Sequence, residues 1–149
     1  MINKSDKIIV GISIGDLNGI GVEVILKTFQ DNRMLDFCTP LIFGSTKVIS
    51  YHKKALSIET PIHGITSLNQ IHHNKINVLN IWKEDVSINL GKASAESGEY
   101  AAKSLEKAVS SLKDKKIDIL LTAPINKETI QSDSFNFPGH TEYLEDKLD

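Results

Sequence analysis

Short apolar runs alternate along this chain with stretches in which apolar residues recur at helical spacing. Ile8-Ile9-Val10-Gly11-Ile12-Ser13-Ile14 is short, β-branched and bounded by Gly15, so it reads as a buried strand. A glycine-rich turn follows, and residues 22–29 then read as a helix. Residues 40–44 form a second strand candidate, after which Ser45 is placed to cap a helix running to about Leu56. Residues 58–75 are polar and irregular, with Pro61 and Gly64. Residues 76–82 read as a strand. The longest helical signal starts near Ser94, with Ala101, Leu105, Ala108, Val109 and Leu112 on one stripe. Residues 117–121 read as a strand ending at Thr122-Ala123-Pro124, and residues 142–149 as a helix that stops without a glycine or asparagine beyond it. That last feature reads as truncation. Near-continuous apolar strands separated by helices predict an α/β fold with a parallel or mixed sheet, flanked by helices on both faces.

Composition narrows the function classes. Lys plus Arg is 17 against 19 for Asp plus Glu, a net charge of −2, which argues against a polyanion-binding protein. Hydrophobic residues are 40% and charged residues 24% of 149, ordinary for a soluble domain or a piece of a larger protein. The single cysteine, Cys38, excludes an internal disulfide and reads as a buried, inert thiol. No apolar run approaches the roughly 20 residues of a membrane span, and the N-terminus has no signal-peptide pattern. The expected location is the cytoplasm, with neither nucleic acid nor membrane as partner.

Three segments could carry chemistry. Gly15-Asp16-Leu17-Asn18-Gly19-Ile20-Gly21 joins a strand to a helix, and in a parallel sheet such turns lie at the ligand-binding carboxyl edge. It is neither a dinucleotide fingerprint, because Val24 occupies the third glycine position, nor a P-loop, because no Gly-Lys-Ser/Thr follows. A purely steric turn explains it equally well. Thr122-Ala123-Pro124-Ile125-Asn126-Lys127 also follows a strand, and Lys127 could attract a phosphate as a point charge. The plainer reading is a proline-bounded loop with a solvated lysine. Phe137-Pro138-Gly139-His140-Thr141-Glu142 opens the last helix, where unpaired N–H groups and the helix dipole favour anions. His140 can donate, accept or carry a proton near neutral pH. The structural reading of Thr141 is a helix cap. His52, His63, His72 and His73 match no zinc-ligand spacing and are assigned surface or structural roles.

Together these segments resemble the 4-hydroxythreonine-4-phosphate dehydrogenase family of pyridoxal phosphate biosynthesis. The resemblance lies in residues 13–23, 122–127 and 137–142, with a fourth match in Gly91-Lys92-Ala93-Ser94 and Ser97-Gly98, all in the family's order and spacing. The sequence departs from the family at Ile14, Leu17 and Val22, where prolines are common. The resemblance covers residues 8–149 of this chain, and only the N-terminal part of the family protein.

The resemblance implies an isocitrate/isopropylmalate dehydrogenase-like fold, with residues 1–149 as the N-terminal α/β portion of a longer two-domain enzyme. That enzyme is a homodimer with its site between domains. It oxidises 4-phosphohydroxy-L-threonine with NAD or NADP to 2-amino-3-oxo-4-phosphooxybutanoate, which decarboxylates to 3-amino-2-oxopropyl phosphate. A divalent metal (zinc, magnesium or cobalt) polarises the alcohol oxygen. The family's metal-binding histidines lie beyond Asp149, so the resemblance assigns no metal ligand and no catalytic residue within this chain. It assigns substrate contact to His140 and Thr141. Two alternatives stay open: a related dehydrogenase acting on another phosphorylated hydroxy acid, and a catalytically silent anion-binding module.

Overall fold

Among the described residues, five strands in the order β3-β4-β2-β1-β5 form one sheet, and every pairing between them is parallel. The computed structural model describes residues 7–149. Strand β1 (Ile8–Ser13) leads through the glycine turn into helix α1 (Gly21–Thr28), and β2 (Cys38–Gly44) into α2 (Thr46–Leu56). Strands β3 (His63–Ile65) and β4 (Asn77–Asn80) follow. Helix α3 (Ala95–Lys113) then crosses back to β5 (Ile119–Thr122), and α4 (His140–Leu148) comes last.

The order explains which face each helix covers. Chain progress from β1 to β2 to β4 runs one way across the sheet, whereas the step from β4 to β5 runs back past β1. Right-handed crossovers therefore put α1 and α2 on one face and α3 on the other. Alternation along the strands agrees. Ile42 and Val78 pack into the cluster holding Val22, Ile25, Leu26, Val48 and Ile49. Leu41, Phe43 and Leu79 pack with Ala108 and Ile117 on the opposite face. A third cluster, Ala101, Leu105, Val109, Ile130, Phe135 and Tyr143, fastens α4 to α3. Within it the Phe135 and Tyr143 rings stack with centroids 4.9 Å apart.

The cap expected at Ser45 is present, and Ser94 caps α3 as well. Ser45 accepts from Lys47 N at 3.2 Å, and Ser94 from Ser97 N at 3.1 Å. Burial of Cys38 also holds, with its Sγ 3.7 Å from Met34 O. Burial raises its pKa more strongly than the Lys7 charge lowers it, which keeps the thiol protonated and unreactive.

Several expectations need correction. Strand β2 begins at Cys38, two residues before the expected start. Pro40 lacks an N–H, but pairing with β4 begins only at Leu41, and the Pro40 carbonyl accepts from Asn77 Nδ2 at 3.2 Å. The stretch 58–75 is not wholly irregular: it contains β3 and a 3-10 turn at Leu68–Gln70. Three residues containing a glycine carry no alternation to read, so His63 lies in a strand and not in a loop. Strand β5 is not covered on both faces. Ile119 and Leu121 are 47% and 51% exposed, because α1 does not reach across the sheet edge. Val24, Leu121 and Pro124 border the shallow apolar groove left there.

Candidate functional site

The turn at 15–21 sits at the carboxyl end of β1, an interior strand flanked by β2 and β5. Gly15 has φ 74°, and a Cβ there would stand 2.4 Å from Pro124 O. Both facts require glycine. The contact brings the first and second segments together, and Asp16 N donates to Pro124 O at 2.8 Å.

Most polar groups of this turn serve the fold. Asn18 is buried: its Oδ1 accepts from Asn89 N at 2.9 Å, and its Nδ2 donates to Lys92 O at 2.9 Å and Ser94 Oγ at 3.2 Å. The Asp16 carboxylate accepts from Asn18 N at 3.1 Å and from the Ser97 hydroxyl in a short hydrogen bond. Leu17 N donates to Ser97 Oγ at 3.0 Å, and the Leu17 carbonyl accepts from His52 Nε2 at 2.8 Å. The fourth matching segment, residues 91–98, is thus the structural partner of the first.

Helix α3 supplies that partnership through a pattern the apolar stripe conceals. Ser97, Ser104 and Ser111 recur every seven residues on its buried face. Ser104 Oγ accepts from Ile14 N at 2.9 Å and donates to Phe43 O at 2.6 Å, tying the ends of β1 and β2 to the helix. Ser111 instead bonds its own helix at Lys107 O, 2.8 Å away. Serine at heptad spacing within an apolar stripe was the available signal, and it marks close helix-to-sheet contact. Gly98 extends the contact: a Cβ there would lie 1.8 Å from Thr129 O.

In the segment 122–127, Asn126 is structural. Its Oδ1 accepts from Glu128 N at 3.0 Å and Thr129 N at 3.1 Å, capping the next turn. Lys127 is exposed, and its Nζ has no hydrogen-bond partner among the described residues. Its chain passes close to Gly139, whose notional Cβ lies 3.5 Å from Lys127 Cε and 3.6 Å from Glu142 Oε2.

Gly139 is the N-cap of α4, with no side chain to close the helix start, and His140 and Thr141 occupy the first two helical positions. Thr141 is therefore not the cap, contrary to its structural reading. The helix also begins two residues before the expected 142. His140 is half-buried, and its Nε2 is buried with no hydrogen-bond partner. Burial, and then the Lys127 charge, lower its pKa, so the imidazole is neutral at pH 7. A cation, a neutral imidazole with an unpaired nitrogen, an exposed hydroxyl and an uncapped helix start therefore share one corner. Such a set can receive an anionic oxygen. The Gly15 turn buttresses the segment that carries Lys127.

Among the described residues, no group of three or more His, Cys, Asp or Glu side chains is placed to hold a metal ion. His52 is buried in the fold, and His73 Nδ1 lies 2.8 Å from Thr39 Oγ1. His63 and His72 meet edge to face at 6.2 Å. No helix among the described residues is long and apolar enough to cross a membrane.

Comparison with known proteins places this arrangement. The chain is 45% identical over 145 residues to a 4-hydroxythreonine-4-phosphate dehydrogenase of Bacteroides thetaiotaomicron, covering 97% of this chain and 40% of that protein. It is 31% identical over 138 residues to a D-threonate 4-phosphate dehydrogenase of Cupriavidus necator, covering 91% and 41%. The crystal structure of a 4-hydroxythreonine-4-phosphate dehydrogenase from Burkholderia phymatum matches with a TM-score of 0.86 at 28% identity, over 95% of this chain and 43% of that one. The chain thus spans less than half the length of these relatives. The profile of the family described as pyridoxal phosphate biosynthetic protein PdxA matches residues 36–149. With 114 of 149 residues inside that match, the chain belongs to the PdxA family.

Proposed function

We propose that residues 1–149 supply the N-terminal α/β portion of a two-domain, NAD(P)-dependent dehydrogenase acting on 4-phosphohydroxy-L-threonine in pyridoxal phosphate biosynthesis. One observation carries this reading: the 45% identity to a protein of that activity runs through 97% of the chain. In the proposal, His140 and Thr141 contact the substrate. The neutral His140 ring and the Thr141 hydroxyl offer hydrogen bonds, while Lys127 and the start of α4 draw in the anion. The nicotinamide and a divalent metal belong to the reaction of the complete enzyme. The described residues form no metal-donor group, so we assign none of them to a metal. The complete enzyme is proposed to be a cytoplasmic homodimer.

A second reading has its own observation, the 31% identity to a D-threonate 4-phosphate dehydrogenase. Both names describe four-carbon acids phosphorylated at the same position. Groups that hold a phosphate or a hydroxyl do not separate them.

The test is an assay of the complete protein with each substrate, NAD or NADP, and an added divalent metal. NAD(P)H formation with 4-phosphohydroxy-L-threonine, at a kcat/KM well above that for D-threonate 4-phosphate, supports the first reading. The reverse ratio supports the second. Phosphate binding without turnover of either would identify an anion-binding module instead. The 149-residue chain alone is expected to form no NAD(P)H, because hydride transfer needs the nicotinamide held against the substrate carbon.

A further inference from the structure

Among the described residues, His52 is the one histidine that is both fully buried and bonded to a candidate site segment. It lies on α2 and is 1% exposed. Its Nε2 stands 2.8 Å from the Leu17 carbonyl. A carbonyl only accepts, so Nε2 carries the proton and donates. On the other side of the same residue, Leu17 N donates to Ser97 Oγ at 3.0 Å. Helices α2 and α3 lie on opposite faces of the sheet, so the backbone of Leu17 is gripped from both helix layers. Leu17 itself is 0% exposed, and no water competes for these bonds.

The grip has consequences on either side of Leu17. Asp16 shares the Ser97 hydroxyl and donates its N–H to Pro124 O, which leads into the segment carrying Lys127. Asn18 carries the bonds to residues 89–94. A turn with a left-handed glycine and two further glycines has little stiffness of its own, and external bonds must supply it.

We propose that His52 is a positioning residue: its Nε2–H, acting with the Ser97 hydroxyl, holds Leu17 between the two helix layers and so fixes the 15–21 turn against Pro124 beside the anion corner. Its role in turnover rests on the dehydrogenase reading above, but the grip itself does not. Burial favours the neutral ring, and in the neutral ring the bond to the Leu17 carbonyl keeps the proton on Nε2. The Leu17 carbonyl and the carboxylates of Glu23 and Asp16 oppose that effect more weakly.

The experiment uses the 149-residue chain and three variants. His52→Phe keeps a ring and removes the donor. His52→Gln keeps an N–H at similar reach, and Ser97→Ala removes the opposite grip. Amide exchange measured by NMR should speed up about tenfold at residues 16–19 in His52→Phe and Ser97→Ala, the change expected for one lost hydrogen bond. It should return to the parent rate in His52→Gln, with exchange in β1, β2 and β4 unchanged. Unchanged exchange at 16–19 in His52→Phe overturns the proposal, as does acceleration spread evenly over all strands. If His52→Phe fails to fold, ring ¹⁵N shifts of the parent chain decide: protonation at Nδ1 instead of Nε2 overturns it. In the complete enzyme, kcat/KM should fall about tenfold in His52→Phe and recover in His52→Gln. Parent kcat/KM in a folded His52→Phe enzyme overturns the positioning role. No turnover in the parent enzyme, with the exchange result as expected, refutes the dehydrogenase reading and leaves the grip standing.

Discussion

Replacing Gly98 with alanine sets two well-calibrated effects against each other. Gly98 lies inside α3, where alanine is favoured over glycine by about 1 kcal/mol on propensity alone. The tertiary contact argues the other way. The new Cβ would lie 1.8 Å from Thr129 O, 2.2 Å from Thr129 C and 2.8 Å from Ile130 N, all inside the 3.0 Å that real Cβ contacts respect. These are backbone atoms, so no rotamer change relieves them. Either α3 or the Thr129 segment must move by more than an ångström, and Ile130 is buried against Leu105 and Val109. Overpacking of a core costs about 1–3 kcal/mol, and a backbone clash belongs at or above the upper end. Net destabilisation of about 2 kcal/mol is expected. For a urea slope of about 2 kcal/mol/M, the midpoint should fall by roughly 1 M with the slope unchanged. Ser110→Ala, on the exposed face of the same helix, should stay within about 0.5 kcal/mol of the parent. Because Thr129 follows Lys127 closely, amide shifts near 126–128 should move in Gly98→Ala as well. A midpoint equal to or above the parent's would refute the reasoning, since helix propensity would then have outweighed the contact.

Other perturbations test other parts of the structure. Ser104→Ala leaves Ile14 N and Phe43 O buried without their partner, so urea denaturation should show a loss of about 2–4 kcal/mol. Stability should decline as pH falls below the ordinary imidazole value of 6.5, because the unfolded chain then binds protons that native His52 and His140 resist. Urea midpoints at pH 7.5 and 5.5 check this, and the decline should be shallower in His52→Gln. In the complete enzyme, His140→Ala should weaken binding of the phosphorylated substrate by about ten- to a hundredfold, the worth of a hydrogen bond to a charged group. Unchanged steady-state constants would exclude His140 from substrate contact.

The β/α alternation was legible because each central strand is apolar on both faces and each helix presents a stripe. Ser45 as a cap was legible because N-cap chemistry is local. What escaped was set by tertiary contact. Strand β3 consists of His63, Gly64 and Ile65, and exists only through pairing with β4. The exposure of Ile119 and Leu121 depends on how far α1 reaches, which no periodicity reports. In the candidate site, order and spacing brought out the right segments without separating ligand-facing groups from scaffold. Asn18 and Asn126 look like recognition amides, yet both serve internal bonds. Ser97 and Ser104 look like neutral breaks in an apolar stripe, yet they join α3 to the ends of β1 and β2.

That separation bears on what this segment can contribute to a reaction. Once the groups committed to internal bonds are set aside, the corner at the start of α4, where the Glu142 carboxylate also lies, retains Lys127, His140 and Thr141 for an anionic ligand. They comprise one cation, one neutral imidazole with an unpaired nitrogen, and one hydroxyl. All three suit the recognition of an anionic, oxygen-rich ligand. Lys127 does so by charge, and the other two by directed hydrogen bonds. The neutrality of His140 matters here. Lys127 already supplies the positive charge, and it disfavours a second one on the ring, so the imidazole can accept a substrate hydroxyl proton or donate its own. An imidazole held protonated could only donate. Burial and the Lys127 charge both favour the neutral ring, burial the more strongly.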